Sequence, residues 1–147
     1  MLVLIDADAC PVVNIAVQLC RKYHIGCTLL CDTAHEINRE GADTLVFDKG
    51  ADSVDLAIAN RVRSGDIVIT QDYGLASMCL AKYARVLHQD GWEYTSWNIS
   101  GLLEQRHAAR KFRAAGGRTK GPSKRTNAQD AAFSKALEQL LQQTVQG

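Results

Sequence analysis

The chain has no long hydrophobic run. Nowhere among its 147 residues is there a stretch close to the ~20 consecutive apolar residues that a membrane-spanning helix needs. The apolar opening, Leu2 to Ile5, has no basic start and is interrupted by Asp6, so it does not read as an export signal. Five cysteines, at positions 10, 20, 27, 31 and 79, form no CxxC pair, and the histidines at 24, 35, 88 and 107 are scattered. That pattern argues against a structural zinc site and predicts reduced thiols in a cytoplasmic protein. No internal repeat is visible. A hydrophobic fraction of 46% and a charged fraction of 22% are those of an ordinary globular chain, long enough for one core.

Net charge is nearly absent too, at +1, but the value conceals a division. Residues 1–100 carry 13 acidic and 8 basic side chains, whereas 101–147 carry 3 and 9. An acidic body with a basic appendage attracts cations at one place and a polyanion at another.

The pattern along the chain alternates strand and helix. Leu2 to Ile5 suits a strand buried on both faces. Pro11 stands at a favourable first helical position. Val12, Ile15, Ala16, Leu19 and Cys20 follow at helical spacing, closed by Gly26. Strands are predicted at 27–31, 44–47, 67–70 and 85–88. Helices are expected around Val54 to Val62 and over 75–83, with 33–42 irregular or a short helix. Residues 91–97, holding three of the nine aromatics, read as a turn or packed loop. Ile99 to Ala115 reads as a basic helix, 116–126 as a glycine-rich loop, and Asn127 to Gln143 as an amphipathic helix. In that last helix Ala131, Phe133, Leu137, Leu140 and Leu141 can dock on the body. The expected architecture is one α/β domain over 1–147 with a parallel sheet covered on both faces, its 99–147 segment packed on the body.

Asp6, Asp8, Asp55 and Asp72 are the sharpest candidates. Three lie at or just past strand ends, and Asp55 lies in the first turn of a helix. Parallel strands end at one edge of the sheet, where ligands of open α/β folds bind. Residues two apart in an extended segment share a face, so Asp6 and Asp8 can point the same way. Like charges so placed repel unless a cation joins them or one takes a proton. Hard carboxylate oxygens suit Mg²⁺ or Mn²⁺, and paired ions of this kind cleave phosphodiesters. Each acid also has a structural alternative. Asp8 can cap the helix near Pro11, Asp52 with Asp55 can cap and complement another, and Asp72 can open a turn before Gly74. Thr70 and Gln71 can orient a carboxylate or water. Cys10 reads as a small buried residue, since neighbouring acids would weaken it as a nucleophile.

A second feature runs from Arg106 to Arg125, with eight cations and no acid between Glu104 and Asp130. Glycine-rich backbone beside arginine forks can hold phosphate, which marks Arg118, Thr119, Lys120, Lys124 and Arg125 as candidate phosphate contacts. Such a cluster would give salt-dependent nucleic-acid binding. Phe112 alone could stack on a base there, so backbone contact is expected rather than base reading. The structural alternative is a solvated basic face.

DADACPV at 6–12, GADSVDLAIANRV at 50–62, GDIVITQDYGLA at 65–76 and GGRTKGP at 116–122 together resemble the YaiI/YqxD family, whose members are placed among the PIN-like, nuclease-related domains. The resemblance covers essentially the whole chain. It implies a PIN-like three-layer α/β/α sandwich with a mostly parallel sheet of four to five strands. It also implies that Asp6, Asp55 and Asp72 lie where PIN nucleases keep metal-binding acids, with Asp8 beside them. Those nucleases usually have a further helical acid, for which Glu36 or Glu40 would have to serve.

The leading expectation is thus a Mg²⁺- or Mn²⁺-dependent nuclease or phosphodiesterase acting on nucleic acid, with RNA the first choice and no membrane partner. An RNA-binding protein that kept the fold without cutting is the alternative. A third reading is a haloacid-dehalogenase-like phosphatase, which also opens with a strand and Asp-x-Asp. Asp6 would there be the nucleophile and Asp8 the acid/base. Thr70 following the Asp52/Asp55 pair reverses that family's order.

Overall fold

In the computed structural model, residues 1–33, 36–48, 53–117 and 124–146 are described. Strand β1 (Leu2–Asp6) leads into helix α1 (Val13–Lys22) and strand β2 (Gly26–Asp32). Next come β3 (Asp43–Phe47), α2 (Ser53–Arg61), β4 (Ile67–Ile69), α3 (Tyr73–Leu80), β5 (Arg85–Leu87) and β6 (Glu93–Tyr94). Helices α4 (Ile99–Ala114) and α5 (Asn127–Gln146) close the chain.

The six strands form one sheet in the order β3-β2-β1-β4-β5-β6. All pairings are parallel except β5 with β6. Alternation along β1 divides the core. Val3 and Ile5 face α1 and α5, where they pack with Leu29, Ile69, Phe133 and Leu137. Leu4 faces the other way and packs with Leu30, Val68, Ile58 of α2 and Leu75 of α3. Ile99 and Leu102 bring α4 onto that second face. A layer of helices thus covers each side of the sheet, and the three-layer α/β/α architecture expected from the sequence is present.

Among the described residues the sheet has six strands where four to five were expected. The addition is β6, inside the segment read as a turn or packed loop. His88 N–H donates to the Trp92 carbonyl at 2.9 Å and closes the chain back on itself. Tyr94, on the antiparallel strand, is then buried beside Val86. Two residues are too few for a period-2 pattern to show. The connection from β2 to β3 crosses the α1 face irregularly among the described residues. It is held by Thr44 Oγ1 donating to the Ile37 carbonyl at 2.8 Å and Arg39 Nε to Asn14 Oδ1 at 2.6 Å.

Helix α1 begins two residues later than Pro11 suggested. Ala9 takes a left-handed φ of 55°, and Cys10 N–H donates to the Ala7 carbonyl at 3.2 Å, so Pro11 belongs to the turn that precedes the helix. Helix α5 docks through Phe133, Leu137, Leu140 and Leu141, all buried. Its Glu138 Oε1 accepts from both Lys22 Nζ at 2.9 Å and Tyr23 OH at 2.8 Å. Ala131, expected on the docking face, is exposed. Of the described residues, no helix is long and apolar enough to cross a membrane.

Candidate functional site

Strand order reverses direction between β1 and β4: the chain leaves β1 toward β2 and β3 and returns to β4 on β1's other side. At such a point the connections diverge and leave a crevice beyond the carboxyl ends of the strands. Asp6 is the last residue of β1, and Thr70 follows the end of β4. Pairing of Ile5 with Ile69 sets these two side by side, and Thr70 Oγ1 donates to Asp6 Oδ2 at 2.9 Å. The same hydroxyl oxygen accepts Asp72 N–H at 3.0 Å. A buried threonine therefore couples the ends of the two central strands.

Asp72 caps α3. Its Oδ1 accepts from Gly74 N–H at 2.8 Å and Leu75 N–H at 3.2 Å, and it also receives Arg106 Nη1 at 3.2 Å. The arginine reaches over from α4. A Cβ on Gly74 would lie 3.3 Å from that Oδ1 and 3.5 Å from Arg106 Nη1, so the bare glycine keeps the approach open. Asp8 does not cap α1, whose first residue is preceded by Val12 with no side-chain cap. Instead both Asp8 oxygens lie within reach of Asp32 N–H, at 3.3 and 3.2 Å, at the end of β2.

The four acids fall into two neighbouring depressions. Asp6 and Asp8 share a narrow cleft with Cys10, Thr70, Gln71 and Gln89. Asp55 and Asp72 line a cavity of about 310 Å³ with Arg106 and the apolar Leu56, Leu75 and Met78. Burial pushes the Asp6 carboxyl up from 3.8 to about 6; the Thr70 hydrogen bond opposes this, and the charges of Asp8 and Asp72 add to it. Those two carboxylates are thus close enough to act on Asp6. Burial likewise pushes the Cys10 thiol up to about 11, with Asp6 adding to the effect, which leaves it a protonated packing residue. All five cysteines are free thiols.

Among the described residues no group of three or more His, Cys, Asp or Glu side chains is arranged to hold a metal ion. The donor chemistry nevertheless fits Mg²⁺ or Mn²⁺ of the kind that takes one or two carboxylates and completes its shell with water and substrate phosphate. Asp6 and Asp8, in one cleft, are the residues that could hold such an ion.

Of the expected phosphate contacts, Arg118, Thr119 and Lys120 lie outside the described residues. Lys124 is exposed. Arg125 is engaged within the protein: Nε donates to Asp130 Oδ1 at 2.6 Å, Nη1 to Asp90 Oδ1 at 2.7 Å and Nη2 to the Gln89 carbonyl at 2.7 Å. It ties the start of α5 to the β5–β6 turn. Arg106 was legible only as one cation of a basic helix. Its pairing with Asp72 depends on how α4 crosses α3, for which periodicity holds no signal.

A family model described as "Uncharacterized BCR, YaiI/YqxD family" matches residues 4–143. A UPF0178 protein of Exiguobacterium sibiricum is 50% identical over 141 residues, covering 96% of each chain. Others come from Natranaerobius thermophilus, 45% identical over 97% of each chain, and Ruminiclostridium cellulolyticum, 48% identical over 93% of this chain and 90% of the relative. No solved structure matches significantly. With the model spanning nearly the whole chain and full-length relatives at this identity, the protein belongs to the YaiI/YqxD (UPF0178) family.

Proposed function

We propose that the protein is a metal-dependent phosphodiesterase acting on nucleic acid, with RNA as its first substrate. One observation carries the reading: at the topological switch point, burial together with the charges of Asp8 and Asp72 holds the Asp6 carboxyl near neutrality up to about pH 6. A carboxyl group under that strain gains from a cation more than a solvated one does. Asp6 and Asp8 would hold Mg²⁺ or Mn²⁺, which when bound polarises a phosphate and the water that attacks it. Thr70 fixes the Asp6 oxygen that accepts its hydroxyl, and the Asp32 backbone fixes Asp8. Arg106, held at the cavity mouth by Asp72, can exchange that carboxylate for a phosphate oxygen of the strand. Lys124 and the basic face of α4 extend the positive surface along which a backbone would lie.

The test separates binding from cleavage. Wild type should hydrolyse members of a broad RNA panel in Mn²⁺ and stop in EDTA. Asp8→Asn should abolish turnover while salt-sensitive binding persists. Asp72→Asn, which keeps a competent helix cap, should reduce turnover strongly. Hydrolysis unchanged in both variants would refute the proposal. Salt-sensitive binding with no metal-dependent cleavage in wild type would replace it with a non-catalytic RNA-binding role.

A further inference from the structure

The opposite, amino-terminal edge of the sheet carries a cavity of about 400 Å³ that the acid site does not use. Its floor is apolar, made by Leu2, Leu4 and Leu45 on the face that α2 covers. Thr28 lies directly beside Leu4 in the β1–β2 register. Only three polar residues among those described are buried: Thr70, which serves the acid site, and Thr28 and Asp66, which both line this cavity. Asp66 is accounted for, because its two oxygens accept Leu2 N–H at 3.0 Å and Arg63 N–H at 2.9 Å. Thr28 is 8% exposed as a residue, and its hydroxyl, which makes no hydrogen bond among the described residues, keeps access to solvent in the cavity and is free to take a ligand atom.

Above the floor stand Arg61 and Arg63. Arg61 lies over the Phe47 ring, 5.7 Å from its centroid, and neither arginine forms an ion pair with a described acid. Asp66 lines the same cavity, but its oxygens take backbone amides rather than either guanidinium group. The cavity thus joins two unmatched guanidinium groups, an apolar floor and an unused hydroxyl.

We propose that this cavity binds a small phosphomonoester carrying a flat apolar body. A phosphomonoester brings close to two negative charges near neutral pH, which the two arginines attract against the opposing Asp66 carboxylate, and guanidinium forks suit phosphate oxygens. The body lies on Leu2 and Leu45, with the fully buried Leu4 beneath them, and Thr28 takes a polar atom of it or an inner phosphate oxygen. A space of this size takes one small ligand rather than a polymer. The site lies across the sheet from the acids and does not depend on their chemistry.

The test is calorimetric titration of the full chain with phenyl phosphate, set against inorganic phosphate and benzyl alcohol. Backbone amide shifts locate the site. Phenyl phosphate should bind saturably and at least ~10-fold more tightly than either control, with shifts centred on Thr28 and Leu45. Arg61→Gln and Arg63→Gln should each weaken binding about 10-fold, the scale of one charge-assisted contact. Thr28→Val should weaken it about 3-fold or more. Asp8→Asn, at the far edge, should leave it unchanged. The proposal is overturned if phenyl phosphate binds no better than inorganic phosphate. Insensitivity to both arginine changes in variants with wild-type unfolding temperatures would also overturn it.

Discussion

Replacing Asp6 by Asn should make the protein more stable, and the gain should depend on pH. In the folded chain burial is the chief reason the Asp6 carboxyl titrates at about 6 rather than 3.8, with Asp8 and Asp72 contributing and Thr70 opposing. The folded state therefore holds this proton more tightly than the unfolded chain does. Protonation contributes stability that is complete below about pH 4 and is lost as the pH rises through about 6. At about 1.4 kcal/mol per pH unit, the full loss is about 3 kcal/mol, an upper bound once relaxation and solvent entry are allowed for. Asn has nearly the same shape, cannot ionise, and can still accept the Thr70 hydroxyl. The variant should match wild type near pH 4 and exceed it by up to about 3 kcal/mol at pH 8, or roughly 6–12 °C in unfolding temperature. Thermal unfolding from about pH 4 to about pH 8, in chelator, measures the difference directly. Parallel curves for the two proteins across that range would refute the argument. A second arm concerns the cation: Mn²⁺ should raise the wild-type unfolding temperature above about pH 6 and raise that of Asp6→Asn less.

Three other changes follow from single contacts. Gly91→Ala should destabilise by at least about 2 kcal/mol in denaturant unfolding, because φ there is 94° and a Cβ would lie 2.6 Å from the Ala132 backbone of α5. Tyr94→Phe should stabilise by about 1 kcal/mol, since the Tyr94 hydroxyl is buried without a hydrogen-bond partner among the described residues. Equal or lower stability would show that the hydroxyl does have one. Arg125→Met should cost about 1 kcal/mol and speed amide exchange at the start of α5, because it removes the shared partner of Asp90, Asp130 and the Gln89 carbonyl.

How much of this was legible beforehand differs between the scaffold and the site. The apolar runs at Leu2 to Ile5 and Cys27 to Cys31 are strands because they are short, continuous and followed by acids. That signal is local and survives folding. Pro11 misled because proline fixes only its own φ, and the left-handed turn at Ala9 that displaces it into the approach to α1 leaves no mark on composition. β6 was missed for want of length. In the site, the meeting of Asp6 with the end of β4 was legible, since parallel strands end at a common edge. The role of Asp8 was not. Whether it caps α1 or takes Asp32 N–H is decided by where β2 stops relative to β1, which is a matter of register. Arg106 belongs to the same class, because its partner lies 34 residues away and is selected by the crossing of two helices.

The contact between Arg106 and Asp72 also connects the two halves of the charge division. An acidic body and a basic appendage could have remained separate surfaces. Instead the appendage's first helix places a guanidinium on the carboxylate that caps α3, close beside Gly74, where a side chain would crowd the pair. Gly74→Ala tests this directly. The added methyl would sit 3.3 Å from Asp72 Oδ1, which must give by a few tenths of an ångström, and in ordinary contact at 3.5 Å with Arg106 Nη1, so it presses on the ion pair, although alanine is the better helix former. If Arg106 matters only for packing, the variant should be neutral or slightly more stable, with nucleic-acid affinity unchanged. If it is the group that presents the basic helix to a phosphate beside Asp6, affinity should change several-fold at low salt while stability moves by less than about 1 kcal/mol. Unchanged affinity in Gly74→Ala and in Arg106→Gln alike would confine the pair to holding α4 against α3.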